Sequence, residues 1–293
     1  MTVLYMFLFP KKYGRQMTRI TKENVLSMLG DGDTHRKQFS QSSGVQKQKA
    51  RPTFSVPFDN GLCKHFFDGT GLSLRHNAEY KQFYCFLDTP QKISMAEDWE
   101  RSQGSRVFIR NLLRSSLALD VNFFDNVSGA KTDIGNLEER AKHHQDADAI
   151  KRLAEISSIT ISGVSYLHET HAICAVPALK DKIFDLPREI TRIASRITGK
   201  FDVTGFFDLD GKDFSSKENA LSEKWDNWER CIFKYSGPSL AGLSVIILDD
   251  KYQSGITQQF FASKLLELGC SSVHGLSMVK TLRDTDNNTV VDV

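Results

Sequence analysis

The carboxyl-terminal half of the chain alternates short apolar runs with longer segments of helical periodicity. Residues 172–176 and 245–248 are continuous apolar runs, which are typical of strands covered on both faces in a parallel sheet. Between them, apolar residues recur every three or four positions over 186–198 and stop at Gly199, which predicts a helix. This alternation predicts an α/β fold with a parallel, doubly wound sheet.

The same patterns predict further elements along the chain. Thr21 is a suitable cap for a short helix that closes at Gly30. Further helices are predicted over residues 107–119, 137–156, 216–230 and 256–268, and further strands over residues 81–87, 203–209 and 272–279. The amino-terminal region is predicted to be less regular, because glycines and polar residues interrupt its aromatic positions.

Composition divides the chain into three predicted regions. Residues 1–51 are predicted to be a flexible basic arm, and residues 1–16 within it a start-site artefact or a disordered tail. Residues 52–105 are predicted to be a small module of unknown role, whose many aromatics are more typical of a core than of a base-stacking platform. Residues 106–293 carry the strand–helix alternation and form the third region.

The predicted arm is strongly basic. Ten Lys and Arg but only three acidic residues lie between positions 11 and 51. A solvated tail is one interpretation of this charge. The alternative is weak contact with nucleic acid, in which each cation displaces a phosphate counterion.

Composition and charge exclude several classes of protein. The 293 residues include 38 Lys and Arg against 36 Asp and Glu, with a net charge of +2, 40% hydrophobic residues and 25% charged residues. This is an ordinary globular mixture and does not match that of a disordered chain. Nowhere do about 18 apolar residues run together, so we expect no membrane-spanning segment and no membrane partner.

The cysteines and histidines do not predict a metal site. Five cysteines without a Cys-x-x-Cys pair fit a reducing compartment, so we expect a cytoplasmic protein without a cysteine zinc ribbon. His143, His144, Asp146 and Asp148 are close in sequence, but adjacent residues of a helix point about 100° apart and do not converge on a metal. We therefore predict no metal ligands among the side chains.

The residues from 245 to 257 carry the chemistry that the sequence predicts. Apolar strand residues lead into Asp249 and Asp250, and a loop with Ser254 and Gly255 then opens a helix. Ligands of open parallel sheets bind beyond the carboxyl ends of the strands. Free N–H groups at a helix start suit a phosphate, and carboxylates accept hydrogen bonds from sugar hydroxyls. The segment therefore predicts a phosphosugar site.

This segment resembles the 5-phosphoribosyl 1-pyrophosphate (PRPP) motif of type I phosphoribosyltransferases. The resemblance implies that Asp249 and Asp250 bind the ribose hydroxyls. It implies 5-phosphate binding by the loop and helix start, at Gln253, Ser254, Gly255, Ile256 and Thr257. It also implies the doubly wound sheet of these enzymes and Mg²⁺ as a cofactor, held through the pyrophosphate of PRPP.

Within this superfamily, residues 137–285 are most similar to the competence protein F (ComF) type. The pyrophosphate-binding candidates that this resemblance implies are Val176, Pro177, Ala178, Lys217, Lys224, Lys280 and Arg283. The amino-terminal cysteine ribbon of many such proteins is missing, and residues 17–105 stand in its place.

The resemblance implies a glycosyltransferase of nucleotide metabolism that transfers the phosphoribosyl group to an unknown acceptor, and no catalytic residue is assigned. Gln253 stands where 6-oxopurine salvage enzymes carry an Asp. Because an amide cannot exchange a proton near neutral pH, hypoxanthine and guanine are not expected as acceptors. The alternative is a non-catalytic module that senses PRPP or a nucleotide and is linked to DNA uptake, processing or defence. A homo-oligomer is compatible with both interpretations.

Overall fold

The computed structural model describes residues 19–48, 50–125, 127–178, 184–211 and 220–282. The strands in these ranges are β1 (Arg36–Gln38), β2 (Val45–Gln46), β3 (Thr53–Val56), β4 (Arg75–Asn77), β5 (Gln82–Phe86), β6 (Val107–Ile109), β7 (Ser115–Val121), β8 (Ala172–Ala175), β9 (Phe201–Asp202), β10 (Phe207–Asp210), β11 (Ile232–Tyr235), β12 (Ser244–Tyr252) and β13 (Ser272–Lys280). The α-helices are α1 (Lys22–Leu29), α2 (Leu62–Thr70), α3 (Pro90–Ser102), α4 (Asp133–His144), α5 (Ala147–Gly163), α6 (Ser165–His168), α7 (Leu186–Thr198), α8 (Leu221–Glu229) and α9 (Ile256–Glu267).

A mostly parallel sheet lies at the centre of the described chain. Its seven strands follow the order β1–β6–β7–β13–β12–β8–β9. Neighbouring strands from β7 to β9 run parallel, and β1 and β6 add an antiparallel edge. The α/β class with a parallel sheet is therefore confirmed, and β10 and β11 pair separately as a short antiparallel ribbon.

Helices cover both faces of this sheet, as expected for a doubly wound arrangement. Ile246 and Leu248 of β12 belong to the hydrophobic core that includes α4, α5 and α7. Val245 and Ile247 belong to the opposite core, which includes α1, α8 and α9. The alternation arises because successive side chains of a strand point to opposite faces, and both faces need apolar residues when both are covered.

Local signals fix the ends of the helices that the sequence predicts best. Pro187 lies in the first turn of α7, and Gly199 ends the helix in a left-handed conformation with φ 70°. The side chain of Thr21 accepts a hydrogen bond from the Asn24 N–H and caps α1, as predicted. No helix in the described part of the chain is long and apolar enough to cross a membrane.

Two helix predictions are wrong. Residues 107–119 contain β6 and most of β7, and every residue of both strands is buried. Their apolar side chains point to both faces of the sheet, and both faces are covered. Over so short a run, the resulting continuous apolar pattern cannot be distinguished from that of a buried helix. The helix predicted over 137–156 is divided into α4 and α5, because Gln145 adopts φ 51° and Asp146 caps the second helix.

Two further elements agree with the predictions in part. The strand predicted over 203–209 is shared between a 3₁₀ turn, Thr204–Phe206, and β10. The helix predicted over 216–230 is represented by α8, and residues 216–219 lie outside the described residues.

The segment 19–48 corrects the expectation of a flexible basic arm over residues 1–51. Val25 of α1 is completely buried in the core that α8 and α9 share, and β1 pairs with β6 at the edge of the central sheet. Four Lys and Arg side chains of the segment also have partners in the fold. Lys22 pairs with Asp226 and Lys47 with Glu97, and Arg36 and Lys37 donate to the carbonyl groups of Leu282 and Ser42. These contacts and the burial tie the segment to the fold. The region boundaries at 51 and 105 stay predictions.

The region after this segment is more regular than predicted. Strands β3, β4 and β5 of this region form an antiparallel sheet with β2 of the preceding segment, in the order β2–β3–β5–β4, and α2 and α3 pack with it. The rings of Phe54 and Phe66 stack with centroids 4.1 Å apart, and Trp99 packs edge-on against Phe66 at 5.0 Å. These rings belong to one continuous core with Leu117 of the central sheet. Five of the nine large aromatics of residues 52–105 therefore contribute to the core, in line with the sequence-based interpretation, whereas Phe67, Tyr80 and Phe86 are exposed.

Candidate functional site

The carboxyl ends of β8 and β12 lie side by side and diverge in their connections. Leu248 pairs with Ala175, and the N–H of Val176 donates to the Leu248 carbonyl at 3.1 Å. From β8 the chain passes through α7 to β9 on one side, and from β12 it passes through α9 to β13 on the other. Because α7 and α9 cover opposite faces, this is a topological switch point, where doubly wound sheets form a ligand crevice.

The structure brings two groups of predicted site residues to this crevice. Val176 and Pro177 follow β8 and are buried, and Ala178 is half-buried beside them. Asp249 and Asp250 lie in the neighbouring strand directly after Leu248 and are both half-buried. The acids are still part of β12, because the strand pairs with β13 as far as Tyr252.

The loop from Gln253 to Gly255 joins β12 to α9 in a tight turn. Gly255 adopts φ 74° immediately before the helix, a conformation that side-chain-bearing residues rarely take. A Cβ atom at this position would lie 2.1 Å from the hydroxyl oxygen of Tyr252. Both the backbone conformation and the close approach of Tyr252 therefore require glycine. Ser254 and Ile256 are buried around it, and Gln253 is half-buried.

The ring of Tyr252 packs against this loop at Gly255. Its ring is buried, and its hydroxyl accepts a hydrogen bond from the Asn111 side-chain amide at 3.3 Å. The backbone carbonyl of Asn111 is in turn bonded by the Asn60 amide at 2.8 Å. Burial raises the pKa of Tyr252 to about 12, so the phenol stays protonated and acts as a packing and hydrogen-bonding group.

The first turn of α9 is also held by α8. The indole N–H of Trp228 donates to the hydroxyl of Thr257 at 3.2 Å. The Thr257 hydroxyl thus accepts from Trp228 and retains its own O–H for donation. Lys224 lies one turn before Trp228 on the same helix and is buried. Two other predicted cations, Lys217 and Arg283, lie outside the described residues.

A lysine of α4 contacts the second acid of the motif. The Nζ atom of Lys142 lies 2.6 Å from the Asp250 carboxylate, whose side chain is 15% exposed. Burial lowers the pKa of Lys142, but attraction by Asp250, Glu138 and Asp249 outweighs burial, and the pKa lies above its ordinary value. Lys142 is therefore a fixed positive charge at the crevice.

The end of β13 contributes another buried cation. Lys280 pairs with Tyr252 across the strands and is only 1% exposed. Its ammonium group donates to the carbonyl of Thr281 at 2.9 Å. The structure therefore places this predicted candidate beside the end of β12, inside the fold and not at a solvated strand end.

Sequence reasoning missed several residues that surround the crevice. They are Glu138 and Lys142 on α4, Tyr252 beneath the loop, Asn111 beside it and Trp228 on α8. The i, i+4 spacing of Glu138 and Lys142 is a recognisable helix pair. Nothing in that spacing, however, indicates that the pair faces the end of β12.

The residues present are compatible with Mg²⁺ that is carried by a phosphorylated ligand. Mg²⁺ takes hard oxygen ligands and is commonly held by one or two carboxylates together with substrate phosphates. Asp249 and Asp250 are the carboxylates at the crevice, and Asp250 is already paired with Lys142. A metal ion there would therefore be held mainly by the phosphates of the ligand. Among the described residues, no group of three or more His, Cys, Asp and Glu side chains could hold a metal ion without such a ligand.

Comparison with known proteins gives little beyond this geometry. No family model and no curated protein matches the chain. One solved structure that is similar is a hypoxanthine phosphoribosyltransferase from Staphylococcus aureus, with a TM-score of 0.31 and 12% sequence identity, over 49% of this chain and 67% of that chain. A similarity of this size indicates no function for this chain.

Proposed function

We propose that the crevice between β8 and β12 binds PRPP, and that the protein is a phosphoribosyltransferase of type I kind that resembles the ComF group. The observation that carries this proposal is the switch point itself. Two half-buried carboxylates, Asp249 and Asp250, stand at its edge directly before a glycine loop that opens α9. Carboxylates that accept hydrogen bonds from sugar hydroxyls thus lie next to a helix start that suits a phosphate. A phosphorylated pentose needs this combination.

Each part of the proposed ligand has a matching group. The 5-phosphate meets the backbone from Gln253 to Thr257 at the start of α9, where the positive end of the helix dipole favours an anion. The ribose hydroxyls donate to Asp249 and Asp250. The pyrophosphate lies toward the backbone after β8 at Val176–Ala178, with Lys224 and Lys280 as cationic candidates. Mg²⁺ bound through the pyrophosphate supplies charge neutralisation for the leaving group.

The proposed reaction is displacement at C1 of the ribose. The acceptor forms a new bond to C1 as the bond to the pyrophosphate oxygen breaks, and pyrophosphate leaves with the electron pair. The contribution of this chain is to hold the phosphate and hydroxyls in place and to stabilise the charges that develop. Gln253 cannot transfer a proton to or from a purine ring. We therefore propose an acceptor other than hypoxanthine or guanine.

One observation favours a second candidate, a module that senses PRPP or a nucleotide without turnover. The carboxylate of Asp250 already pairs with Lys142, at 2.6 Å. A site in which the acid is held by a fixed cation can bind a ligand without assisting departure of the pyrophosphate. Release of pyrophosphate from PRPP with a set of acceptor bases distinguishes the two, since only the enzyme produces it.

Titration calorimetry with Mg²⁺ and PRPP tests the binding that both candidates share. The wild type is compared with Asp250→Asn and Gly255→Ala, and ribose 5-phosphate and AMP serve as comparison ligands. Gly199→Ala is the matched control, because Gly199 also has a positive φ, at 70°, but its Cβ would meet no atom within 4 Å. We expect both site variants to lose binding and the control to retain it. Wild-type affinity in both site variants contradicts the proposal.

The proposal includes a cytoplasmic location. None of the five cysteines, all of which lie within the described residues, forms a disulfide, and Cys174 in β8 is buried. Free buried thiols suit a reducing compartment.

A further inference from the structure

Glu138 is a buried carboxylate with an unusual set of neighbours. It lies in the middle of α4, and its side chain is only 5% exposed. Within the described part of the chain, its Oε1 atom has no hydrogen-bond partner. Lys142 and Lys251 approach its two oxygens, each at 3.7 Å, which is within ion-pair range but beyond the length of a hydrogen bond.

The cost of this arrangement points to a missing donor. Buried polar atoms are almost always hydrogen-bonded, because a lone pair removed from water without a donor costs free energy. The two ammonium groups offset the charge of Glu138 but do not complete its hydrogen bonds. A carboxylate oxygen can only accept. The group that suits Oε1 is therefore an O–H or N–H donor from outside the described chain.

The position of Glu138 identifies the source of that donor. Lys142 bridges Glu138 and Asp250, with the second contact at 2.6 Å. Lys251, the other neighbour of Glu138, directly follows Asp250 in β12. Glu138 thus lies one lysine away from the carboxylate that is proposed to bind ribose, on the α4 side of the crevice.

We propose that Glu138 is a third carboxylate of the sugar subsite and accepts a hydrogen bond from a hydroxyl of the bound pentose phosphate. Lys142 and Lys251 hold its carboxylate in place. This inference rests on the proposed function, because it assumes that a phosphorylated sugar occupies the crevice. It adds that part of the affinity for the sugar, as distinct from the phosphate, comes from α4.

Comparison of two simple ligands tests this role. Ribose 5-phosphate and inorganic phosphate are titrated into the wild type, Glu138→Gln and Glu139→Gln, with binding followed by ³¹P NMR. Glu139 is the matched control, since it is the neighbouring glutamate of α4, is 44% exposed and pairs with Lys131. The quantity compared is the ratio of the two affinities on one preparation, which does not depend on the folded fraction.

We expect Glu138→Gln to reduce the preference for ribose 5-phosphate over phosphate by about tenfold, the loss expected for one hydrogen bond to a charged acceptor. Glu139→Gln is expected to keep the wild-type ratio. An unchanged ratio in Glu138→Gln overturns the inference and leaves the proposed function standing. If the wild type binds neither ligand, the proposed function itself is wrong.

Discussion

Acidification from pH 7 to pH 5 is expected to destabilise the protein through two buried histidines. His65 lies within hydrogen-bond distance of the Gln103 side chain at 3.0 Å, and His274 lies 2.7 Å from the hydroxyl of Ser115. Burial lowers the pKa of His65 to about 4 and that of His274 to about 3. Both rings are therefore neutral in the native state throughout this range.

The direction follows from proton binding by the unfolded chain. An exposed histidine titrates at about pH 6.5, so below that pH the unfolded state takes up two protons that the native state excludes. Stability is complete above pH 6.5 and is lost as the pH falls toward the native pKa values. At pH 5 the loss is about 2 kcal/mol for each histidine and about 4 kcal/mol for both. This is a large part of the 5–15 kcal/mol typical of a folded domain.

Urea denaturation of the wild type and His65→Gln at pH 7 and pH 5 measures this effect. Each protein is compared with itself, so the difference between the two pH values cancels any change that the substitution makes at neutral pH. We expect His65→Gln to lose about 2 kcal/mol less than the wild type on acidification. His76→Gln, at an exposed position, controls for the substitution. The reasoning is refuted if the wild type loses less than about 1 kcal/mol, or if His65→Gln shows the full wild-type loss.

Three other changes test separate parts of the structure. Gly255→Ala is expected to lower the free energy of unfolding in urea by about 3 kcal/mol, and Gly199→Ala by about 1 kcal/mol. Only the first variant adds a clash with Tyr252 to the backbone strain. Equal losses of stability in the two variants contradict this reasoning. Lys142→Met is expected to weaken PRPP binding in calorimetry, and Lys142→Arg to restore most of it, because Arg keeps the charge beside Asp250. If both variants bind PRPP as tightly as the wild type, this ion pair has no role in binding. Any contact with DNA through the amino terminus is expected to be salt-dependent and to disappear in a fluorescence anisotropy assay when residues 1–18 are removed, whereas unchanged binding locates it elsewhere.

The sequence was informative where local signals decide the structure. The helix α7 matches its predicted bounds, because Pro187 and Gly199 mark its ends independently of any packing. The pattern also predicts the first part of β12, because residues 245–248 form a buried apolar run, and the start of α9 after Gly255. It does not predict that β12 continues through Asp249 and Asp250 to Tyr252.

The sequence was misleading where tertiary contacts decide. The apolar pattern over β6 and β7 predicts a helix, because only the sheet around them shows that both of their faces are covered. The polar composition of the segment 19–48 concealed its attachment through Val25 and β1. At the site, the pairing of Lys142 with Asp250 joins positions more than 100 residues apart, and the spacing within either segment does not encode it.

The place of β13 in the sheet has a consequence for synthesis of the protein on the ribosome. Every other strand of the central sheet precedes β13 in the sequence, yet β13 lies between β7 and β12 and is the only described strand that pairs with both. Until residue 280 has left the exit tunnel, the nascent chain holds two partial sheets, each with an open edge that could pair with another chain. Completion of the sheet, and with it the shape of the crevice, must therefore follow translation of this strand.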